Sequence, residues 1–245
     1  RSIVVVADGH PIRIFDLATG NATNEIPHPD PIWLRIATSA SGLVMFEERG
    51  DIVAYDVKAK SGRYRIPASR DGRFAISDSA GLLAIAVRGE RGHVRVQGFE
   101  LETGKSLWSF DVKTTTDRDN MPGTVALSRD GRLLAVDIRE LVVVYDLANK
   151  KPVTRIPHPY YSGMSLSFTA DSKAIIWGRT HAMLTDIATG KRIRPFGPFS
   201  DLLHAADVSP DGKYLVTGHL LRSDGRIWEI DTGTFYRRLG KDVMR

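Results

Sequence analysis

Five arginines stand at or near one fixed distance before a repeated acidic residue, and such a set could bind phosphate or carboxylate groups. The repeated acids are Asp16, Asp56, Glu100, Asp146, Asp186 and Glu229. Four arginines lie seven residues before an acid: Arg49, Arg139, Arg179 and Arg222. In the third period that position is His93, and Arg91 lies two residues before it. Because guanidinium groups bind carboxylates and phosphates through paired hydrogen bonds, turns that gather these arginines would favour acidic or phosphorylated ligands.

Two histidines share a second pattern, a Pro-His-Pro triplet centred on His28 and on His158. Each histidine lies 28 residues before one of the repeated acids. Tyr160 and Tyr161 follow the second triplet. Tyrosine and arginine are frequent anchors of protein interfaces, so these loops are candidates for contact with a partner.

The sequence lacks the common short motifs of catalysis and of metal binding. The sequence has no Gly-x-Ser-x-Gly elbow, no phosphate-binding loop and no Gly-x-Gly-x-x-Gly. Its seven histidines lack the spacing of a metal site. The absence of cysteine excludes disulfides, thiolate metal sites and cysteine nucleophiles. We therefore expect a protein without cofactor or metal that is not an enzyme.

Composition excludes several other classes. Hydrophobic residues make up 42% and charged residues 26%, which is typical of a folded globular domain. The net charge of +5 is mild and the basic residues are dispersed, so no nucleic-acid partner is expected. No apolar run approaches the ~20 residues of a membrane-spanning helix, and no membrane partner is expected. Nothing fixes the compartment, and a cytoplasmic location is the default expectation.

The spacing of the repeated acids predicts a repeat protein. Successive acids are 40, 44, 46, 40 and 43 residues apart, which gives six near-equal periods over the chain. Between acids lies a turn phrase of the type Ser-x-Asp-Gly, at Ser128–Arg132, Thr169–Lys173 and Ser209–Lys213. Short alternating runs flank these turns, as at Val125–Leu127 and Leu133–Asp137, and predict half-buried strands. No run of ten residues has a helical pattern.

Four short strands in each period are typical of the blade of a β-propeller. We therefore expect an all-β protein with four-stranded antiparallel blades and six repeats. Residues 1–245 would form a single domain, with repeats ending near 20, 60, 104, 150, 190 and 233. The polar segment Asp111–Pro122 reads as an inserted loop.

The two ends of the repeat array leave two architectures open. Arg1–Ala7 reads as a second strand and Pro11–Leu17 as a third, so the first blade lacks its first strand. Lys241–Arg245 could begin another first strand. The tail could complete the opening blade and close a six-bladed ring. Alternatively, the repeats belong to a seven- or eight-bladed ring within a longer chain that carries other domains, which the shortness of the tail slightly favours.

The repeats resemble those of the WD40 family over essentially the whole chain. The resemblance is carried by Ser-Pro-Asp-Gly-Lys-Tyr-Leu-Val-Thr-Gly at 209–218 and by Trp228-Glu229. Quinoprotein-like and lactonase-like propellers have similar turns and stay as alternatives. The resemblance implies a hydrogen-bonded tetrad in the last repeat, which would consist of His204, Thr217, Asp224 and Trp228. It also implies that the Pro-His-Pro loops lie on the same face as the arginines, or that their histidines cap the blades structurally.

These features together predict a non-catalytic scaffold that presents one end of its channel to a protein or peptide. The residues expected to bind an acidic or phosphorylated partner are Arg49, Arg91, Arg139, Arg179, Arg222, His28, His158, Tyr160 and Tyr161. The competing interpretation is a solvated rim whose arginines are neutralised by acids of the same turns, such as Glu47, Glu48 and Glu140. The alternative function is a small-molecule enzyme, lactonase-like or quinoprotein-like, with its site at the channel mouth.

Overall fold

The chain is an all-β protein in the part that the structure describes. The computed structural model describes residues 2–5, 11–16, 18–27, 36–69, 71–114, 121–138, 140–158, 165–179, 181–197, 203–219 and 225–239, with the side chains of 2–5, 204 and 219 left aside. In these ranges there are 23 strands and no helix. No described segment is therefore a helix able to cross a membrane.

The strands are short and follow one another closely along the chain. In order they are β1 (Ser2–Val5), β2 (Ile12–Asp16), β3 (Ala22–Ile26), β4 (Ile36–Thr38), β5 (Leu43–Glu48), β6 (Asp51–Asp56), β7 (Ser61–Pro67), β8 (Arg73–Ser77), β9 (Leu82–Arg88), β10 (His93–Glu100), β11 (Ser106–Lys113) and β12 (Val125–Leu127). They continue with β13 (Leu133–Asp137), β14 (Leu141–Asp146), β15 (Lys151–Pro157), β16 (Ser165–Phe168), β17 (Ala174–Gly178), β18 (Ala182–Asp186), β19 (Arg192–Phe196), β20 (Leu203–Val208), β21 (Tyr214–His219), β22 (Gly225–Glu229) and β23 (Phe235–Leu239).

Within each sheet, every strand pairs antiparallel with its neighbours in sequence, because short turns connect them. Sheet one contains β1 to β3, and sheets two to six contain four strands each, from β4–β7 to β20–β23. The five four-stranded sheets are blades of a β-propeller. The first strands β8, β12, β16 and β20 contact one another in that order and line the central channel.

Two predictions about the repeats need correction. The expected six four-stranded blades are five, because the first repeat forms a sheet of three strands in which Ser2–Val5 pairs directly with Ile12–Asp16. Lys241–Arg245, expected to begin another first strand, lies outside the described residues. The inserted loop expected from Asp111 onward begins later, because β11 continues to Lys113 in a ladder with β10, where Arg95 pairs with Asp111.

Five apolar clusters join the sheets in consecutive pairs. Between sheets four and five, for example, Val142 and Val144 of β14 meet Ile175 and Trp177 of β17. The second strands are the most buried, since they pack on both faces; β17 is buried at every residue. Burial of one aliphatic side chain contributes about 1.5–3 kcal/mol, so these clusters are the main source of stability.

The repeated turn phrases form hydrogen-bonded turns. In the first-to-second-strand turn of sheet four, the Ser128 hydroxyl donates to Asp130 Oδ1 at 2.6 Å and accepts from Leu133 N at 2.8 Å. Gly131 closes that turn with φ 69°, a left-handed conformation that glycine adopts without a steric penalty. In the third-to-fourth-strand turn of sheet five, Asp186 Oδ1 accepts from Thr189 N at 2.7 Å and from Thr189 Oγ1 at 2.6 Å.

Antiparallel pairing sends alternate turns to opposite ends of the propeller. The turns between first and second strands lie at one end, which we call the Asp-Gly end. The turns between second and third strands lie at the other end, together with the loops that join one sheet to the next. We call this the arginine end, because its described turns include Arg49, Arg91 and Arg179.

Candidate functional site

Arg49 lies at the tip of a tight hairpin between β5 and β6. Glu48 pairs with Asp51 across the hairpin, and Arg49 and Gly50 form the two-residue turn with φ of 55° and 93°. Two positive φ values are typical of a type I′ turn, whose twist matches the flanking strands. Gly50 N donates to Glu47 Oε1 at 2.8 Å, which holds the turn in place. The exposed Arg49 side chain therefore starts from a rigid base.

The acids beside Arg49 are engaged by another arginine. Arg65 of β7 forms an ion pair with Glu48 and lies 3.8 Å from Asp51 Oδ2. Among the described residues, no carboxylate pairs with Arg49. This geometry argues against neutralisation of Arg49 by the acids of its own turn.

Arg91 occupies the equivalent turn of the next blade and is exposed. His93 N donates to Glu90 O at 2.9 Å, and His93 Nδ1 lies 3.2 Å from Arg91 O. The turn is thus closed by its own backbone, with the histidine ring folded against it. The sequence correctly places Arg91 in a turn between second and third strands.

Arg179 lies in the equivalent turn of sheet five and is half-buried. Its carbonyl oxygen accepts a hydrogen bond from Leu203 N at 2.5 Å, which ties this turn to the first strand of sheet six. A Cβ added at Gly178 would overlap the carbonyl oxygen of His181, so only glycine fits before Arg179. The backbone at this position links two blades, and the guanidinium is less accessible than that of Arg49.

Several predicted site residues lie outside the described part of the chain. These are Arg139, Arg222, His28, Tyr160 and Tyr161. The backbone next to position 139 is described: Ile138 N donates to Leu141 O, and His158 N donates to Glu140 O, both at 2.9 Å. The structure therefore brings Arg49, Arg91 and Arg179 to turns of one end and leaves the other positions as predictions.

His158 is enclosed rather than presented to a partner. Its Nε2 lies 3.3 Å from Asp137 Oδ1, and both side chains are fully buried. The imidazole ring also lies 5.9 Å from the ring of Trp177 in sheet five. His158 thus connects sheets four and five and has no surface for direct contact, which favours its structural interpretation.

A buried polar cluster surrounds this pair beneath the arginine end. Arg73, the first residue of β8, donates from Nε to Gly123 O at 2.7 Å and from Nη1 to Asp71 O at 2.9 Å. Burial lowers the pKa of Arg73, and the charges of Asp71, Asp137 and Glu47 oppose that shift. The cluster therefore places a desolvated guanidinium near acids from sheet two, sheet four and the loop before β8.

Sequence spacing misses Arg73, Gly123 and Asp137, since none belongs to a repeated phrase. A Cβ on Gly123 would overlap the carboxylate of Asp137, so the glycine is required by packing between separate segments. The one signal for Arg73 is an arginine at the start of an otherwise apolar first strand. That signal alone does not distinguish a buried arginine from a surface one.

The tetrad implied by the WD40 resemblance is present in part. Trp228 Nε1 donates to Thr217 Oγ1 at 3.1 Å, as the resemblance implies. Asp224 and the side chain of His204 lie outside the described residues. Sheet five contains a similar tryptophan–threonine bond with the two strands exchanged. Trp177 Nε1 of the second strand β17 donates to Thr185 Oγ1 of the third strand β18 at 2.9 Å, whereas in sheet six the tryptophan lies on the third strand.

The Asp-Gly end holds a cavity of about 410 Å³, lined by the first strands and turns of sheets three to six. Arg129 crosses its mouth, with Nη1 donating to Pro210 O at 2.6 Å, and its carbonyl accepts from Ser77 Oγ at 2.7 Å. Ser167 Oγ donates to Asp207 Oδ1 at 3.4 Å. In the described chain, no group of three potential metal ligands exists here or elsewhere.

The sequence matches no protein-family model, and no curated protein matches it. Function is therefore inferred from the fold and from the geometry of the two ends.

Proposed function

We propose that this chain is a non-catalytic propeller scaffold of the WD40-like type. Its arginine end would bind an acidic or phosphorylated segment of a protein or peptide. One observation carries the proposal: Arg49 and Arg91 occupy equivalent turns of consecutive blades and are both exposed, while the acids beside Arg49 pair with Arg65.

Rigid turns make this end suited to binding at several points. The turn at Arg49 is fixed by the bond from Gly50 N to Glu47, and the turn at Arg91 by the bond from His93 N to Glu90. A preformed surface loses little conformational entropy when a ligand binds, so more of the contact energy appears as affinity. Exposed charge pairs are screened by salt, and the affinity should fall as ionic strength rises.

The described geometry gives little support to a catalytic alternative at this end. The pair of His158 and Asp137 has the residue types of a general base and its orienting carboxylate. Both side chains are enclosed between sheets four and five, so a substrate has no access to them. A role in holding two blades together accounts for the pair more simply.

The test is a charge reversal at the two exposed arginines. The double variant Arg49→Glu and Arg91→Glu would be compared with the unaltered chain on an array of phosphorylated peptides, their unphosphorylated counterparts and oligoglutamate. We expect selective capture of the acidic or phosphorylated peptides at low salt. The double variant should bind them at least roughly tenfold more weakly, since each lost guanidinium contact is worth about 1 kcal/mol.

The matched control reverses two charges at the opposite end of the propeller. Lys105 and Lys191 are exposed in turns between third and fourth strands. Lys105→Glu with Lys191→Glu changes the net charge equally and should retain most of the affinity. If both double variants lose the same affinity, net charge alone accounts for the loss and the arginine end is not the specific site. An unchanged affinity in the arginine variant would also reject the proposed site.

A further inference from the structure

The last sheet leaves exposed a face that the preceding blades bury. We define the open face of sheet six as Tyr214, Val216, Ile227, Tyr236 and Leu239. Val216 is 37% exposed, Tyr236 is 56% exposed and Leu239 is 41% exposed. The rings of Tyr214 and Tyr236 lie 5.1 Å apart and extend this face toward the outer strand. These apolar and aromatic side chains share the face with Arg237, which pairs with Ile227.

The pairing register identifies the equivalent positions in the other blades. Val216 pairs with Ile227, and its equivalents on the other second strands are Met45 (0% exposed), Ala84 (1%), Ala135 (0%) and Ile176 (0%). Leu239 pairs with Gly225, and its equivalents on the other outer strands are Ile66 (6% exposed), Phe110 (half-buried), Ile156 (2%) and Phe196 (0%). All eight equivalents belong to, or pack against, the cluster that joins their sheet to the next one. The open face therefore has the form of a surface that another sheet covers.

The covering sheet must present apolar residues at defined positions. In sheet three these include the paired residues Leu83 and Phe99, and in sheet four the paired residues Leu134 and Tyr145. The equivalent register positions of sheet one are Ile3 and Phe15, which pair with each other. Sheet one thus carries the residue types that this interface uses.

Phe15 has the register position of aromatic residues that pack between sheets elsewhere. Phe99, Tyr145 and Trp228 are buried members of clusters between sheets. Phe15 is half-buried, and it belongs to none of the five clusters formed by the described residues. Phe15 is therefore an aromatic residue of the type, and at the register position, that packs against the preceding sheet in other blades.

A hydrogen bond that recurs between neighbouring sheets also indicates that sheet six is suited to pack against a sheet one. In three sheets, an outer-strand side chain donates to a carbonyl in the next sheet's turn between third and fourth strands. The pairs are Asn24 with Val57 (3.1 Å), Tyr64 with Leu101 (2.5 Å) and Arg194 with Asp231. The equivalent position in sheet six is Arg237, which pairs with Ile227 and is exposed. Arg237 is therefore a donor placed to bind the turn after Asp16 of a sheet one.

We propose that the open face of sheet six docks on sheet one of a second copy of this chain. Docking within one copy would be favoured by a high effective concentration, yet the open face of sheet six stays exposed while five interfaces between sheets are formed. Contact with a second copy would cover this face. Such a head-to-tail contact is heterologous, so it links copies into rings or chains rather than into an isologous pair.

The first test measures association in solution by sedimentation velocity. The unaltered chain should form dimers or larger species at micromolar concentration. Val216→Asp places a carboxylate in the interface and should weaken association at least roughly tenfold. The matched control is Val153→Asp, at a residue that is 47% exposed on the outer strand of sheet four, and it should associate like the unaltered chain. A monomer at all concentrations would overturn the proposal, as would equal effects of the two variants.

The second test identifies which faces meet, and the absence of native cysteine makes it unambiguous. Phe15→Cys and Val216→Cys would be prepared separately and mixed under mild oxidation. Disulfide-linked dimers should form in the mixture and not with either variant alone. Dimers of the Val216→Cys variant alone would contradict head-to-tail docking. An intramolecular disulfide in a chain carrying both substitutions, without linked dimers in the mixture, would show ring closure and would overturn the proposal.

Discussion

The buried carboxyl group of Asp137 shows how single residues support the arginine end. It contacts His158 at 3.3 Å, lies near the charge of Arg73 and leaves no room for a side chain at Gly123. Arg73 and Asp137 belong to sheets three and four, and Gly123 and His158 lie in the loops next to these strands. Because these side chains are held between sheets three to five, they fix the backbone beneath the turns of the arginine end.

Gly123→Ala should destabilise the protein. The new methyl group would overlap the Asp137 carboxylate, and overpacking of this kind costs about 1–3 kcal/mol in the free energy of unfolding. The measurement is urea unfolding at neutral pH. Gly62→Ala is the matched control, because a Cβ there meets no atom within 4 Å. If both variants unfold at the same urea concentration, that result would contradict the close packing of Gly123 against Asp137.

The aspartates that accept hydrogen bonds within the turns between third and fourth strands provide a second prediction at the residue scale. The hydroxyl and backbone N–H of Thr189 donate to Asp186 and lower the pKa of its carboxyl group below the ordinary 3.8. Thr189→Val removes the hydroxyl, which is the larger cause, and should raise the pKa of Asp186. The measurement is an NMR titration of the carboxyl groups. Asp16, whose pKa is lowered by Thr19 in another sheet, is the internal control and should titrate unchanged.

At the scale of the structural element, the repeated turns make stability depend on acid. The pKa values of Asp16, Asp171, Asp186 and Asp211 are all lower in the folded chain than their ordinary value. Groups with a depressed folded pKa stabilise the native state above the unfolded pKa of about 3.8 and lose that contribution as the pH falls through the folded pKa values.

The chain should therefore lose stability in acid. We expect the urea midpoint to be level near neutral pH and to fall progressively below about pH 5, as protons bind the unfolded state first. Replacing Asp171 and Asp186 by Asn should make this dependence shallower. A urea midpoint that rises toward pH 3 would contradict the hydrogen-bonded turns.

Sequence periodicity predicts the strands well where the turn chemistry is local. Val125–Leu127 and Leu133–Asp137 are predicted with the bounds observed. The extension of β11 to Lys113 is not predicted, because it depends on a cross-strand ion pair between Arg95 and Asp111. The absence of a first strand in the first repeat is predicted, because Arg1–Ala7 reads as a second strand and Pro11–Leu17 as a third, and sheet one has three strands.

The candidate site is predictable in its turns and not in its interior. Arg49 and Arg91 lie in the predicted turns, because their spacing to the repeated acids follows from strand length. The burial of His158 is not predictable from spacing, since Asp137 reaches it only when β13 and the loop after β15 pack together. Interactions between separated segments carry no local signal.

At the scale of the whole molecule, each blade is stabilised mainly by its two neighbours. Sheets two to five have an apolar cluster on both sides, and sheets one and six have a described cluster on one side only. Stability in such stacked repeats is approximately a sum of unit and interface contributions. The sheets at the two ends of the stack should therefore open most readily.

Hydrogen exchange should reveal this gradient. In Val216→Asp, where association between copies is weakened, amides of β1–β3 and β20–β23 should exchange faster than those of β12–β18. The gradient follows from the one-sided packing of the outermost sheets. Uniform exchange over all sheets would indicate one cooperative unit and would contradict this gradient.

The most direct test of the central claim locates a bound ligand on the propeller. A phosphorylated or acidic peptide selected on the array would carry a photoreactive group and would be cross-linked to the unaltered chain. Mass spectrometry should find adducts in residues 47–51 and 89–93, at the arginine end. Adducts confined to residues 128–132 and 209–213, at the Asp-Gly end, would contradict the assignment of the binding surface.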